Sequence, residues 1–182
     1  MKAVGLYRGL PISDEQALVD LDMPAPVASG RQLLVEVRAV SVNPVDWKIA
    51  AHAPADSHVI AGRDLAGVID SVGPSAGQWQ PGEKVMAVAS GGSYAEYVLA
   101  AANAIAVKPA HMSFDEAAGI PVVGETAWRS LVVVAHLHAG QRVLIHGGAG
   151  GVGSSAVQVA NTPMFRITGM IVSRVCATWV SC

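Results

Sequence analysis

Arg142-Val-Leu-Ile-His146, then Gly147-Gly-Ala-Gly150-Gly-Val-Gly153, then Ser154-Ser-Ala-Val-Gln-Val-Ala160 is the stretch that decides the fold. A short apolar run, a glycine-rich turn and a helical run make one strand–turn–helix unit. Within it, Gly148-Ala-Gly150-Gly-Val-Gly153 satisfies G-x-G-x-x-G, and the motif stands after a strand and before a helix, as a dinucleotide site requires. Gly148 permits the tight turn, Gly150 lets backbone approach a pyrophosphate, and Gly153 lets helix pack on strand. The helix N-terminus then offers free N–H groups and partial positive charge to phosphates. An ordinary glycine-rich turn is the alternative, because the chain holds 19 glycines. A P-loop is excluded, since Ser154 stands where its lysine belongs.

Dinucleotide folds place a discriminating residue about 20 positions further on. Here Ile167-Thr-Gly-Met-Ile-Val-Ser173 reads as a second strand that ends at Ser173 and Arg174. An acidic residue would favour NAD; a hydroxyl and a guanidinium favour the 2′-phosphate of NADP. The alternative is that Arg174 is a solvated surface residue. All 14 acidic residues lie at or before Glu125, and both cysteines, Cys176 and Cys182, lie in the last stretch. That stretch departs in composition from the rest.

Towards the N-terminus the pattern changes to short strands. Residues 2–7, 33–42, 67–73, 84–90 and 93–99 read as strands, several with alternating polarity and with glycine or proline turns between them. Residues 11–30 read as loop with one edge strand, Pro44 to Ala51 as a short helix, and 52–58 as a loop. This spacing predicts a small barrel or sandwich over about 1–110. Ser113-Phe-Asp-Glu116 is a capping-box signature, Pro121 a break, and 123–137 a longer helix. The expected division is therefore a β-rich domain over 1–115 and an α/β dinucleotide-binding domain over 116–182.

With 12 Lys+Arg against 14 Asp+Glu, the net charge of −2 argues against nucleic acid or an anionic membrane as partner. The 52% hydrophobic and 14% charged composition argues against disorder. Residues 1–175 hold no cysteine, so that part carries no disulfide framework and no cysteine metal site. The N-terminus has no apolar signal core, and no stretch approaches the roughly 20 residues of a membrane span. The expectation is a soluble, cytoplasmic protein.

Several segments, in order, resemble the medium-chain dehydrogenase/reductase superfamily, in its zinc-independent quinone-oxidoreductase-like branch. They are Arg38-Ala-Val-Ser-Val-Asn-Pro-Val-Asp-Trp-Lys48, Ala61-Gly-Arg-Asp-Leu-Ala-Gly-Val68, Gly91-Gly-Ser-Tyr-Ala-Glu-Tyr-Val98, Glu125-Thr-Ala-Trp128 and Val143 through Gly153. The resemblance implies a GroES-like partial β-barrel followed by a Rossmann domain, here incomplete. It implies NADPH-dependent reduction of quinones, enones or similar activated double bonds by hydride transfer. It places Asn43 and Asp46 near nicotinamide and substrate, Thr126 beside the cofactor, the backbone of Gly150, Gly151 and Val152 on the pyrophosphate, and Ser173 and Arg174 on the 2′-phosphate. Each has a plainer reading: Asn43-Pro44 as a turn and N-cap, Asp46 as a first-turn acid, Thr126 as a packed helix residue. Trp47 stands where the family often carries Tyr, and an indole cannot supply a proton.

A catalytic zinc needs three protein ligands. The matching segments here, Ser41 to Asp46 and Gly62 to Asp64, hold neither Cys nor His, so no metal site is expected. His146 is expected to pack or hydrogen-bond before the glycine turn. Family members are longer, and after Arg174 the resemblance is lost, which suggests a truncated or frame-shifted reading frame. A partial parallel sheet exposes a strand edge, so a homo-oligomer or another covering chain is expected. A non-catalytic binding module with a vestigial nucleotide loop remains the alternative function.

Overall fold

The computed structural model describes residues 1–7, 10, 11, 13–50, 58–89, 91–165 and 169–173. The chain divides into two compact units, Met1–Pro121 and Val122–Cys182.

The first unit is built from antiparallel strands, with β1 at Lys2–Tyr7, β2 at Leu18–Asp22, β3 at Gln32–Val40, β4 at His58–Ile60 and β5 at Asp64–Val72. β6 at Lys84–Val88, β7 at Tyr97–Ala101 and β8 at Ile105–Val107 complete it. They form a three-stranded sheet in the order β2-β1-β4 and a five-stranded sheet in the order β7-β3-β5-β6-β8. Residues 94–96 stitch the two together: Val4 N–H donates to Tyr94 O, Glu96 N–H to Lys2 O, and Val37 N–H to Glu96 O. The result is the curled half-barrel that the strand spacing predicts. Its core is the inward set of the alternating strands, chiefly Leu33, Val35, Leu65, Ile69, Val85 and Val98. Register shifts between Leu34 and Val35 and between Val37 and Ala39 bend β3 across β5. Gly67 sits at that bend, where a Cβ would overlap the Glu36 carbonyl oxygen.

The helix α1 spans Pro44–Ala50, and α2 spans Phe114–Ala118. The capping box opening α2 is formed in full: Glu116 N–H donates to Ser113 Oγ at 3.1 Å and Ser113 N–H to Glu116 Oε2 at 2.8 Å. Ala117 and Ala118 pack on Ala66 of β5. Two sequence expectations shift. The strand expected at 93–99 runs Tyr97–Ala101, because 93–96 serve as the stitch between sheets. Of the loop expected at 52–58, His58 instead opens β4, whose partner β1 is distant in sequence, and 52–57 lie outside the described residues. The strand β8 has no sequence expectation; it pairs with β6 at the sheet edge.

At the boundary between the units, Pro121 opens a helix rather than only breaking one: α3 spans Pro121–Trp128, with proline at the first position, where its missing N–H costs nothing. The expected single helix over 123–137 then widens into a π-helical turn at Arg129–Val134. Thr126 Oγ1 donates to Val122 O and Ser130 Oγ to Thr126 O, side-chain bonds that compete with the regular ladder. The strand β9 spans Arg142–His146, α4 spans Gly151–Ala160, and β10 spans Gly169–Ser173. The strands β9 and β10 pair in parallel with α4 between them in sequence, the βα unit that the glycine motif announces. Ala127, Ile145, Ala156 and Ala160 form its core. The chain is therefore α/β with a β-rich N-terminal part, a GroES-like partial barrel followed by part of a Rossmann domain.

Candidate functional site

Each unit carries one cluster of the residues that sequence reading singles out. In the first, the cluster gathers at the start of α1. Asn43 precedes Pro44 at the helix N-terminus, and Asp46 N–H donates to Asn43 O at 3.0 Å. Asp46 returns the contact, its Oδ2 accepting Asn43 N–H at 2.7 Å. The first-turn acid thus does the capping work its plainer reading assigns. Asn43 does not cap with its side chain. Its Nδ2 donates to Ser41 Oγ at 2.9 Å and to Asp64 Oδ2 at 2.8 Å, and Ser41 Oγ donates to the same Asp64 oxygen at 2.6 Å. Both amide protons are engaged, so Asn43 can offer a ligand only its carbonyl oxygen.

Tyr94, on the stitch between the sheets, donates its hydroxyl to Asp46 Oδ2 at 3.0 Å. Burial chiefly, then the Asp46 hydrogen bond and the charges of Asp46 and Asp64, push the Tyr94 hydroxyl well above the ordinary tyrosine range. It is a hydrogen-bond donor at every physiological pH. Asp46 is 6% exposed and Asp64 fully buried. Asp46 Oδ1 is buried without a partner. Such a group is costly to bury, and active sites tolerate it for function. Asp46 also borders a cavity of about 120 Å³ with Gly62, Arg63 and Gly92. Tyr94 borders a second, mostly apolar groove of about 720 Å³ with Val37, Val40 and Ala95. Trp47 is on the exposed side of α1, with Lys48 Nζ 5.7 Å from its ring centre.

Sequence reading names Asn43 and Asp46 but not Ser41, Asp64, Tyr94 or Arg63 as site residues. Asp64, Arg63 and Tyr94 do lie inside the segments that carry the family resemblance. Their meeting with α1 across long stretches of chain is a tertiary event.

In the second unit the cluster is the glycine turn. Gly147 takes φ 66° and starts the turn; Gly150 is the N-cap residue of α4 in extended conformation, φ −80° and ψ 169°. No side chain caps α4. Among the described residues, the N–H groups of Gly151, Val152 and Gly153 find no backbone acceptor, and Ser154 N–H closes the first helical bond on Gly150 O. A Cβ on Gly153 would overlap the backbone of Gly147, so the third glycine is required for turn and helix to touch. A Cβ on Gly151 would stand 3.3 Å from Val123 on α3. Thr126 lies one turn beyond Val123; it is exposed, and its hydroxyl proton is committed to Val122 O. Gly148 is buried within the turn. Ser173 pairs in register with His146, so the end of β10 stands level with the opening of the glycine turn. Arg174 lies outside the described residues. His146 is exposed rather than packed.

Uncapped N–H groups on a tight glycine turn fit the pyrophosphate of a dinucleotide, the group this fold family implies. Among the described residues, no three His, Cys, Asp or Glu side chains are grouped to hold a metal. Among those residues, no helix is long and apolar enough to cross a membrane.

Residues 29–110 match the alcohol dehydrogenase GroES-like domain. A quinone oxidoreductase of Pongo abelii is 36% identical over 152 residues, covering 81% of this chain and 46% of its own length. A Rhizobium etli protein designated a zinc-dependent alcohol dehydrogenase superposes with a TM-score of 0.88 at 37% identity, over 95% of this chain and 53% of that one. A mycobacterial protein solved in complex with NADPH superposes with a TM-score of 0.78 at 28% identity, over 96% of this chain and 53% of that one. The chain spans about half the length of the curated relatives it matches. Half-barrel, glycine turn and these likenesses agree: the chain belongs to the medium-chain dehydrogenase/reductase superfamily and is quinone-oxidoreductase-like.

Proposed function

We propose that this chain supplies the GroES-like domain, over 1–115, and the opening of the cofactor domain, over 116–182, of an NADPH-dependent oxidoreductase. Its substrates are quinones, enones or similar activated double bonds, and it works without zinc. The observation that carries the reading is the uncapped N-terminus of α4, held against the turn by Gly153. NADPH supplies the hydride when bound. The chain's part is to bind and orient. Gly148, Gly150, Gly151, Val152 and Gly153 present backbone to the pyrophosphate, Thr126 stands beside the cofactor, and Ser173 with Arg174 takes the 2′-phosphate. Asn43 and Asp46 serve the nicotinamide and substrate end, Asn43 as an acceptor.

The absence of Cys and His from Ser41–Asp46 and Gly62–Asp64 supports zinc independence against the zinc-dependent name of one structural neighbour. The reading takes the protein as cytoplasmic, with a small-molecule substrate and neither nucleic acid nor membrane as partner. The reading includes a homo-oligomer, for which Leu144 on β9, 55% exposed, is an apolar side chain a second copy would cover.

Titrating NADPH against the chain and following nicotinamide fluorescence, then adding 1,4-benzoquinone, tests the reading. Saturable binding with turnover is expected. Binding without turnover favours a non-catalytic nucleotide-binding module, and no binding removes the cofactor from the reading.

A further inference from the structure

Asp46 uses one of its two carboxylate oxygens. Oδ2 takes the Asn43 N–H and the Tyr94 hydroxyl, while Oδ1 is buried and bonded to nothing. The same residue borders the cavity of about 120 Å³ on which Arg63 also stands. Among the described residues Arg63 makes no ion pair, and its guanidinium makes no hydrogen bond. A residue with an unused acceptor and a residue with an unused set of donors therefore line one small cavity.

We propose that Arg63 holds the carbonyl oxygen of the enone or quinone in this cavity, with Asp46 Oδ1 positioning the guanidinium. The proposal rests on the reading of the chain as a reductase of activated double bonds, and it names the group that grips the substrate. A guanidinium carries five donors in a planar fork, so one edge can engage Asp46 Oδ1 while the remainder face a second acceptor. The acceptor best suited is neutral, because Asp46 puts negative charge into the same cavity and disfavours an anion. Reduction of the double bond moves negative charge onto that carbonyl oxygen. A fixed cation already aimed at the oxygen favours the charged form more than the ground state. Arginine keeps its proton, so Arg63 acts by charge and hydrogen bonding, and the proton that completes reduction comes from solvent. The cavity is wide enough for the oxygen end of the substrate, which leaves the reacting carbons at its mouth.

The test uses 2-cyclohexen-1-one labelled with carbon-13 at the carbonyl, titrated against the whole chain and read by difference infrared spectroscopy. A saturable downshift of the carbonyl stretch is expected. Arg63→Met removes the shift and weakens binding at least about tenfold, with circular dichroism checking that the fold is kept. Arg63→Lys retains part of the shift because it keeps the charge and loses the fork. Asp46→Asn keeps the cation but loosens it, so the shift shrinks and broadens. An unshifted carbonyl in the parent chain, or the full shift in Arg63→Met, overturns the proposal. NADPH fluorescence on the same samples separates the two readings. Loss of cofactor binding with the carbonyl shift intact removes the reductase reading and leaves the Arg63 subsite standing. Cofactor binding with no shift does the reverse.

Discussion

Gly153→Ala and Gly150→Ala are one-methyl changes three residues apart, and the structure gives them opposite consequences. At Gly153 the new Cβ overlaps the Gly147 carbonyl oxygen and lies 2.7 Å from the Gly147 carbonyl carbon and 2.8 Å from Gly148 Cα. All three neighbours are backbone, so no side chain can rotate away. Forcing a methyl into such packing costs about 3 kcal/mol, the upper part of the overpacking range. Alanine over glycine in a helix returns about 1 kcal/mol. The net loss is about 2 kcal/mol, or roughly 4–8 °C in melting temperature for a chain of this size. At Gly150 the Cβ meets only Gly147 O at 3.4 Å, and φ is −80°. The N-cap preference for glycine over alanine costs under about 1 kcal/mol there. The methyl instead stands on the N-cap residue, next in sequence to the free N–H groups of Gly151, Val152 and Gly153. NADPH affinity is expected to fall about tenfold or more, equivalent to about 1.4 kcal/mol. Thermal unfolding and nicotinamide fluorescence on both variants are the assays. The reasoning is refuted if Gly150→Ala unfolds as early as Gly153→Ala, or if Gly153→Ala keeps the parent melting temperature.

Two further expectations concern the first unit. Tyr94→Phe removes one of the two donors to Asp46 Oδ2 and is expected to cost about 2 kcal/mol in urea unfolding, the scale of a hydrogen bond to a charged group. The folded-state pKa of Tyr94 lies above the unfolded value of 10.0, so the hydroxyl's contribution is fully present below pH 10 and fades as pH climbs past it. A stability gap between parent and variant that changes between neutral pH and about pH 9 contradicts this assignment. Ser113→Ala opens the capping box of α2 and is expected to cost about 1 kcal/mol. The Ser113 N–H, and after it the Ser113 hydroxyl, hold the Glu116 carboxyl below its ordinary value of 4.5. Its stabilisation is present above that value and is lost as pH falls through the lowered pKa. The stability difference between parent and Glu116→Gln should therefore close on acidification; a difference that widens in acid counts against the capping box.

Local chemistry explains what was legible in the sequence. Ser113 and Glu116 are three residues apart, so their reciprocal bonds need only a helical start. The strand, turn and helix from Arg142 to Ala160 are likewise contiguous, and the glycine spacing states the geometry outright. The alternation in Leu33–Val42 and Ser93–Leu99 shows which faces are apolar. It does not show that 93–96 leave the ladder to tie β1 to β3, because that depends on which strands meet. Pro121 marks a boundary in either reading, and only the chain direction after it shows whether a helix stops or starts. The π-helical turn after Trp128 is accompanied by hydroxyl-to-carbonyl bonds at Thr126 and Ser130, a geometry that propensity does not encode.

By itself the sequence determined the local units: the glycine turn that exposes the N-terminus of α4, the capped start of α2, the alternating strands, and Asn43 with Asp46 flanking Pro44. Each is fixed by contacts between residues a few positions apart. The tertiary structure alone decided what those units face. It brought Asp64 to the Asn43 amide and Tyr94 to Asp46, and it left one Asp46 carboxylate oxygen unbonded on a residue that shares a cavity with Arg63. Burial gives that arrangement its meaning, because a carboxylate oxygen in water needs no protein partner and a buried one does.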